Sequence, residues 1–287
     1  MYYSIYPKLR AIFTYLPDQE DYKELSRTKT LDEFERGVKK LELLERFPLN
    51  NRKLEEYLKK VCFRLEEQVR QTLEGKGQAF FAEFMKSYEL KDIRNALYNK
   101  KGQFYLFQEE EKSLDEIGTV LEDSIWSKAW EYGYDRYKDK KNKFEIEVAL
   151  DRQYYINLIK AVDNLWWKDR KTVLDLLKNW INKINRNWKY RLQNKYREED
   201  YEMKQYLIPN TETYEKVDSI SGLQKKDFDR EMETIFYDKF KNEMFTMGAI
   251  ISFFMLFRRR IEKLTSIYNS KKFNIANNKL SRVMGEL

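Results

Sequence analysis

The chain has 287 residues, of which 42% are hydrophobic and 36% charged, with 55 basic against 48 acidic side chains, four prolines and nine glycines. That length buries a sizeable core, that apolar fraction excludes disorder, and the scarcity of proline and glycine favours helix. Histidine is absent and Cys62 is the single cysteine, which removes internal disulfides, Ser-His-Asp and Cys-His catalysis, and thiolate-histidine zinc sites.

The N-terminal stretch MYYSIYPKLRAIFTYLP is amphipathic and interrupted by Pro7 and Pro17. It lacks the basic start, apolar stretch and small-residue cleavage site of a leader, so a cytoplasmic chain is expected. Apolar periodicity predicts helix from Leu31 to Leu44, with a loop at Phe47 to Asn51. Between Asn51 and Glu74, Leu54, Tyr57, Leu58, Val61, Leu65, Val69 and Leu73 recur at spacings of three and four, a long amphipathic helix with Gly75 as its stop. Cys62 sits on that stripe as a small buried hydrophobe, and Gly75-Lys76-Gly77 lacks the pattern of a phosphate loop.

Further helices are expected over Ala79 to Leu97, Leu114 to Trp130 and Phe228 to Phe245, with loops at Asn99 to Gln103, Lys138 to Asn142 and Pro209 to Gly222. The alternating FEIEV, Phe144 to Val148, is compatible with a short strand or with helix. Val173, Leu174, Leu177, Trp180, Ile181, Ile184 and Trp188 form one apolar helical stripe. From Met244 to Phe257 the chain carries no charge and then meets Arg258, Arg259 and Arg260. A membrane span needs roughly 20 apolar residues, and Thr246, Gly248 and Ser252 dilute this shorter run, so it is expected to be a core helix.

Three stretches align without gaps: FMKSYELKDIRNAL from Phe84, QYYINLIKAVDNLW from Gln153 and SFFMLFRRRIEKLT from Ser252. Each places an aromatic or apolar block before Ile93, Val162 or Ile261, then Asn95, Asn164 or Lys263, then Ala96, Leu165 or Leu264. Unrelated core helices also resemble one another at this period, and that reading stays open.

On these residues the chain resembles the C subunit family of bacterial and archaeal V/A-type ATPases, whose eukaryotic counterpart is the d subunit and whose three helical repeats carry acid-x-x-Asn-Leu-like motifs. Asp92-Ile93-Arg94-Asn95 matches that pattern. Asn164-Leu165 matches with Ala161 at the acid position, and in the third copy Arg260 and Lys263 replace acid and asparagine while Ile261 and Leu264 remain. The opening YPKLRAIFTYL and EDYKELSRTKTLDEFERGVKK, the segment LDRQYY, the segment YLIPN at Tyr206 to Asn210 and the closing SIYNSKKFNIANNKLSRVMGEL are similar to further family features.

The resemblance implies an all-α, funnel-shaped body of three pseudo-symmetric repeats, divided here as 1–110, 111–205 and 206–287. It implies a non-catalytic rotor subunit at the cytoplasmic face of the membrane, with central-shaft subunits and the membrane rotor ring as partners. The chain would be a monomer alone and one copy per complex, peripheral through its protein partners, with no nucleic acid and no cofactor or metal. Asp92, Ile93, Asn95, Val162, Asn164, Leu165, Ile261 and Leu264 are then structural repeat positions rather than catalytic ones.

Two other readings remain at this point. The stretch Trp166 to Arg197 mixes four tryptophans with ten lysines and arginines, a composition that binds nucleic acid where the aromatics are exposed. Trp180 and Trp188, however, share the apolar stripe. A generic helical scaffold with another partner is also compatible, because the repeat motif is only weakly diagnostic. An enzyme would have to work with carboxylates alone, as at Glu109 to Glu111 or Glu198 to Asp200, and such acidic runs are ordinarily solvated.

Overall fold

A computed structural model describes residues 2–43, 53–100, 102–107, 112–196, 203–209, 211–216 and 225–274. The expected Phe47–Asn51 loop, half of the Pro209–Gly222 loop including Asn210, both acidic runs and the chain beyond Asn274 lie outside them. Among the described residues every regular element is helical, so the fold is all-α. Helices join into two compact units, one formed by Met1–Leu73 with Glu233–Leu287, the other by Glu74–Met232.

In the first unit the Met247–Lys272 helix is the central element. The helices Leu54–Thr72, Ile5–Thr14, Leu31–Lys39 and Gln19–Arg27 pack around it. Its first three turns have no polar face: Met247, Ala249, Ile250, Ile251, Phe253, Phe254, Leu256 and Phe257 are all essentially buried. A helix that is apolar all round is stable only inside a shell of other elements. No described helix is long and apolar enough to cross a membrane.

The predicted run begins too early, because Met244 is exposed and Phe245 takes a left-handed φ of 59°. Thr246 then caps the helix, its Oγ1 accepting from the Ala249 N–H at 3.2 Å. Phe245 is held by the rings of Tyr3 and Tyr6, 4.8 and 5.2 Å away. Tyr6 in turn donates its hydroxyl to the Phe240 carbonyl at 2.8 Å, fixing the end of the Lys225–Asn242 helix.

The second unit is built on the Phe144–Val162 helix, which touches Ser127–Lys140, Gly75–Met85, Ser87–Leu97 and Trp167–Arg191. This settles FEIEV as helix. One acid of its alternation is buried: Glu145 lies in the core through an ion pair with Arg136, whereas Glu147 is half-buried. Gly133 permits the close approach of Ser127–Lys140, since a Cβ there would stand 2.7 Å from the Ile146 Cα.

Two predicted helices are each two. Ala79–Leu97 breaks at Lys86 into Gly75–Met85 and Ser87–Leu97. Leu114–Trp130 breaks into Leu114–Leu121 and Ser127–Lys140, and Trp126, fully buried immediately before the second, donates its indole N–H to Glu89 at 2.9 Å. Gly75, at φ 54°, opens the following helix instead of closing the previous one, which ends at Thr72. Cys62 is buried among the Leu54–Thr72 apolar residues.

Leu264 and Ile261, 0% and 3% exposed, lie on the inward face of the Met247–Lys272 helix. Leu264→Ala is expected to cost about 2 to 5 kcal/mol of stability, the range for a buried cavity. Chemical denaturation with an unchanged m-value reads this directly, and a loss under about 1 kcal/mol would mean the site collapses around the deletion.

Candidate functional site

The three arginines after the apolar run explain how a helix with such a sequence is held by protein. Arg258 makes a bidentate pair with Glu66, Nε to Oε1 at 2.6 Å and Nη2 to Oε2 at 2.5 Å, and Glu66 is fully buried. Glu233 receives the other cations: Lys263 at 3.3 Å, Arg260 at 3.6 Å and Arg259 at 3.9 Å. Planar bidentate contact with a fixed carboxylate is the geometry for which arginine is suited. Glu66 was missed in the sequence, although its place on the stripe between Cys62 and Val69 was a signal. An acid at an apolar position requires a buried partner.

Asp92 is the best-defined motif residue. It is fully buried, and its carboxylate accepts the backbone N–H groups of Gln103 at 2.5 Å, Phe104 at 3.0 Å, Tyr105 at 2.7 Å and Leu106 at 3.0 Å. One side chain thereby fixes a loop whose donors would otherwise be unpaired. The neighbouring Arg94 pairs with Asp151 of the Phe144–Val162 helix. Arg260, aligned with Asp92, also holds a loop, with opposite polarity: its Nη1 donates to the Pro17 carbonyl at 3.1 Å, and its own carbonyl accepts from Tyr22 at 3.0 Å. Ala161 offers no such group.

The remaining motif residues divide by chemistry. Ile93, Val162, Leu165, Ile261 and Leu264 are buried. Asn164 is exposed, while Asn95 is half-buried and its backbone carbonyl accepts from Lys100 at 2.8 Å. The structure thus places these residues in both units, as packing and helix-end positions, and does not gather them into one pocket.

The Tyr206–Pro209 segment forms a second buried cluster. The Tyr206 hydroxyl donates to Glu145 at 3.0 Å and accepts from Arg136 and Lys140, each at 2.6 Å. Burial pushes its pKa up to about 12. Asn185 brackets the next residues, donating to the Ile208 carbonyl at 2.7 Å and accepting the Ile208 N–H at 2.8 Å. Arg152 adds a bond to the Leu207 carbonyl at 2.9 Å. Each of these polar groups is spent on backbone or on another side chain, which describes a fastener more than a reaction centre.

Among the described residues no group of His, Cys, Asp or Glu could hold a metal ion. An open hollow of about 330 Å³ is lined by Asn99, Lys112, Ser113, Leu114, Tyr137 and Lys143. Lys143 is already bonded to the Leu97 carbonyl, and Ser113 and Glu116 cap each other. Of the nucleic-acid stretch, Trp180 and Trp188 are buried while Trp166 and Trp167 are exposed.

Ion pairs of the first unit have measurable consequences. Glu66→Ala leaves Arg258 buried without its partner and is expected to cost about 3 to 5 kcal/mol, whereas Glu66→Leu with Arg258→Met recovers most of it. Equal stability of the single and double variants in urea would contradict this. Glu55 accepts from Lys272 at 2.6 Å and Lys59 at 2.7 Å, and these bonds hold its pKa down at about 2. Because the folded value is depressed, the stability from Glu55 is complete above the unfolded value of 4.5 and is lost as pH falls through about 2. Glu55→Gln should therefore flatten the acid limb of a stability-versus-pH curve between those limits and leave its alkaline limb unchanged.

The family profile described as ATP synthase (C/AC39) subunit matches residues 5–219. The third repeat-like stretch, from Ser252, lies beyond that match. Among curated proteins, none matches the chain. With the all-α architecture and the match over most of its length, the chain belongs to the ATP synthase (C/AC39) subunit family of the V/A-type ATPases.

Proposed function

We propose that this protein is the non-catalytic central-stalk subunit of a V/A-type ATPase, linking the central shaft to the membrane rotor ring so that rotation couples ATP hydrolysis or synthesis to ion transport. The family match carries this reading. The fold supports it physically: long helices cross-braced by buried ion pairs and aromatic contacts stiffen each unit, and torque transmission needs stiffness and two interfaces, not chemistry.

On this reading the chain stands at the cytoplasmic side as a peripheral subunit in one copy per complex, held there by shaft and ring. The three-repeat division at 110 and 205 belongs to the same proposal, with Asp92, Ile93, Asn95, Val162, Asn164, Leu165, Ile261 and Leu264 as structural positions that hold the partner-binding surfaces in place. The net charge of +7 biases the surface toward acidic partners.

Membranes from cells lacking this chain are expected to lose ATP-driven ion uptake while the catalytic head still hydrolyses ATP, and adding back the protein restores uptake. Affinity capture of the tagged chain from solubilised membranes brings down head, shaft and ring proteins. Undiminished uptake in its absence would reject the coupling role.

A further inference from the structure

Trp167 and Trp166 are 80% and 60% exposed, and no other large apolar side chain among the described residues is more exposed than Trp167. They stand at the start of the Trp167–Arg191 helix, immediately after the buried Leu165. The same helix buries Trp180 and Trp188, so the exposed pair is set apart from the core use of this residue type. A Trp ring in water is a large apolar surface with one polar edge, suited to a boundary that is apolar on one side and wet on the other.

The cations around the pair are mostly lysines. The Lys76 ammonium lies 5.0 Å from the centroid of the Trp166 ring, and Lys168 and Lys171 are exposed on the first two helical turns. Of the acids close by in sequence, Asp169 is buried, Asp163 is tied to Arg170 at 2.6 Å, and Glu74 is exposed. The one arginine is thus already engaged by a carboxylate.

We propose that Trp166, Trp167, Lys76, Lys168 and Lys171 form a contact with an anionic lipid surface, the indoles lying at headgroup level and the ammonium groups meeting lipid phosphates. Composition selects this occupant. Cores of protein interfaces are enriched in Trp and Arg but depleted in Lys, whereas tryptophan bordered by long lysine stems is the pattern of the membrane–water boundary. The contact adds a direct lipid attachment to a chain otherwise held at the membrane by protein partners. The vesicle measurement needs no ATPase and so stands or falls separately from the coupling role.

The purified full chain is sedimented with vesicles of phosphatidylcholine alone or of phosphatidylcholine with about a third phosphatidylglycerol. Binding to the mixed vesicles is expected, falling with added salt and weak on the neutral ones. Trp166→Ala with Trp167→Ala is expected to weaken it about tenfold at an unchanged melting temperature. Trp167→Ala alone gives a partial loss and serves where the double variant folds poorly. Lys76→Glu with Lys168→Glu lowers binding and its salt dependence, and Phe273→Ala, an exposed aromatic in the other unit, leaves it unchanged. The proposal is overturned if the wild-type chain ignores anionic vesicles or if the tryptophan variants bind them equally. It is also overturned if, without vesicle binding, the double variant loses capture by ring protein in detergent or loses single-stranded RNA, since the surface is then a protein or nucleic-acid face.

Discussion

The first three turns of the Met247–Lys272 helix are apolar on every side, and the first unit is the set of elements that keeps water from them. The helix makes its own backbone bonds but has no face to give to solvent, so four other helices must surround it. The arginines that follow convert the helix from a buried element to a partly solvated one within a single turn. Had they faced water they would add solubility only. Directed at Glu66 and Glu233 they tie the helix to Leu54–Thr72 and Lys225–Asn242, with Glu66 desolvated completely.

The aligned positions Asp92 and Arg260 both fasten a loop, with opposite charge. Asp92 gathers four backbone N–H groups from the loop at 103–106, while Arg260 at the aligned position grips a carbonyl at Pro17. Both fasten a loop to the flank of a helix, one as acceptor and one as donor. At the remaining aligned position Ala161 has no polar side chain with which to make such a clamp. Burial of Ile93, Val162 and Ile261 beside these positions supplies the packing against which a clamp can act.

Much of the architecture was legible in the sequence because it rests on local periodicity. The Leu54–Thr72 and Trp167–Arg191 helices follow from their apolar stripes, and the buried Trp180 and Trp188 follow from theirs. Tertiary contacts explain the errors. Trp126 stands immediately before the second of two helices, with its indole N–H donated to Glu89, distant in sequence. Glu145, one acid of the alternating FEIEV, lies in the core with Arg136 as its partner. The loop that Asp92 would clamp, and the pairing of Arg258 with Glu66 across 192 residues, carry no local signature at all.

Local stiffness is the property these features share, and under the proposed coupling role it is what a subunit set between a turning shaft and a ring has to supply. Tyr206, Glu145 and Arg136 lock one loop to two helices, and the Arg258–Glu66 pair locks two more. Cross-linking followed by mass spectrometry on the assembled, membrane-embedded ATPase tests the central claim most directly. The account predicts that single copies of this chain carry links both to central-shaft subunits and to the ring protein. Links confined to peripheral stator subunits, or to the shaft with none to the ring, would contradict it.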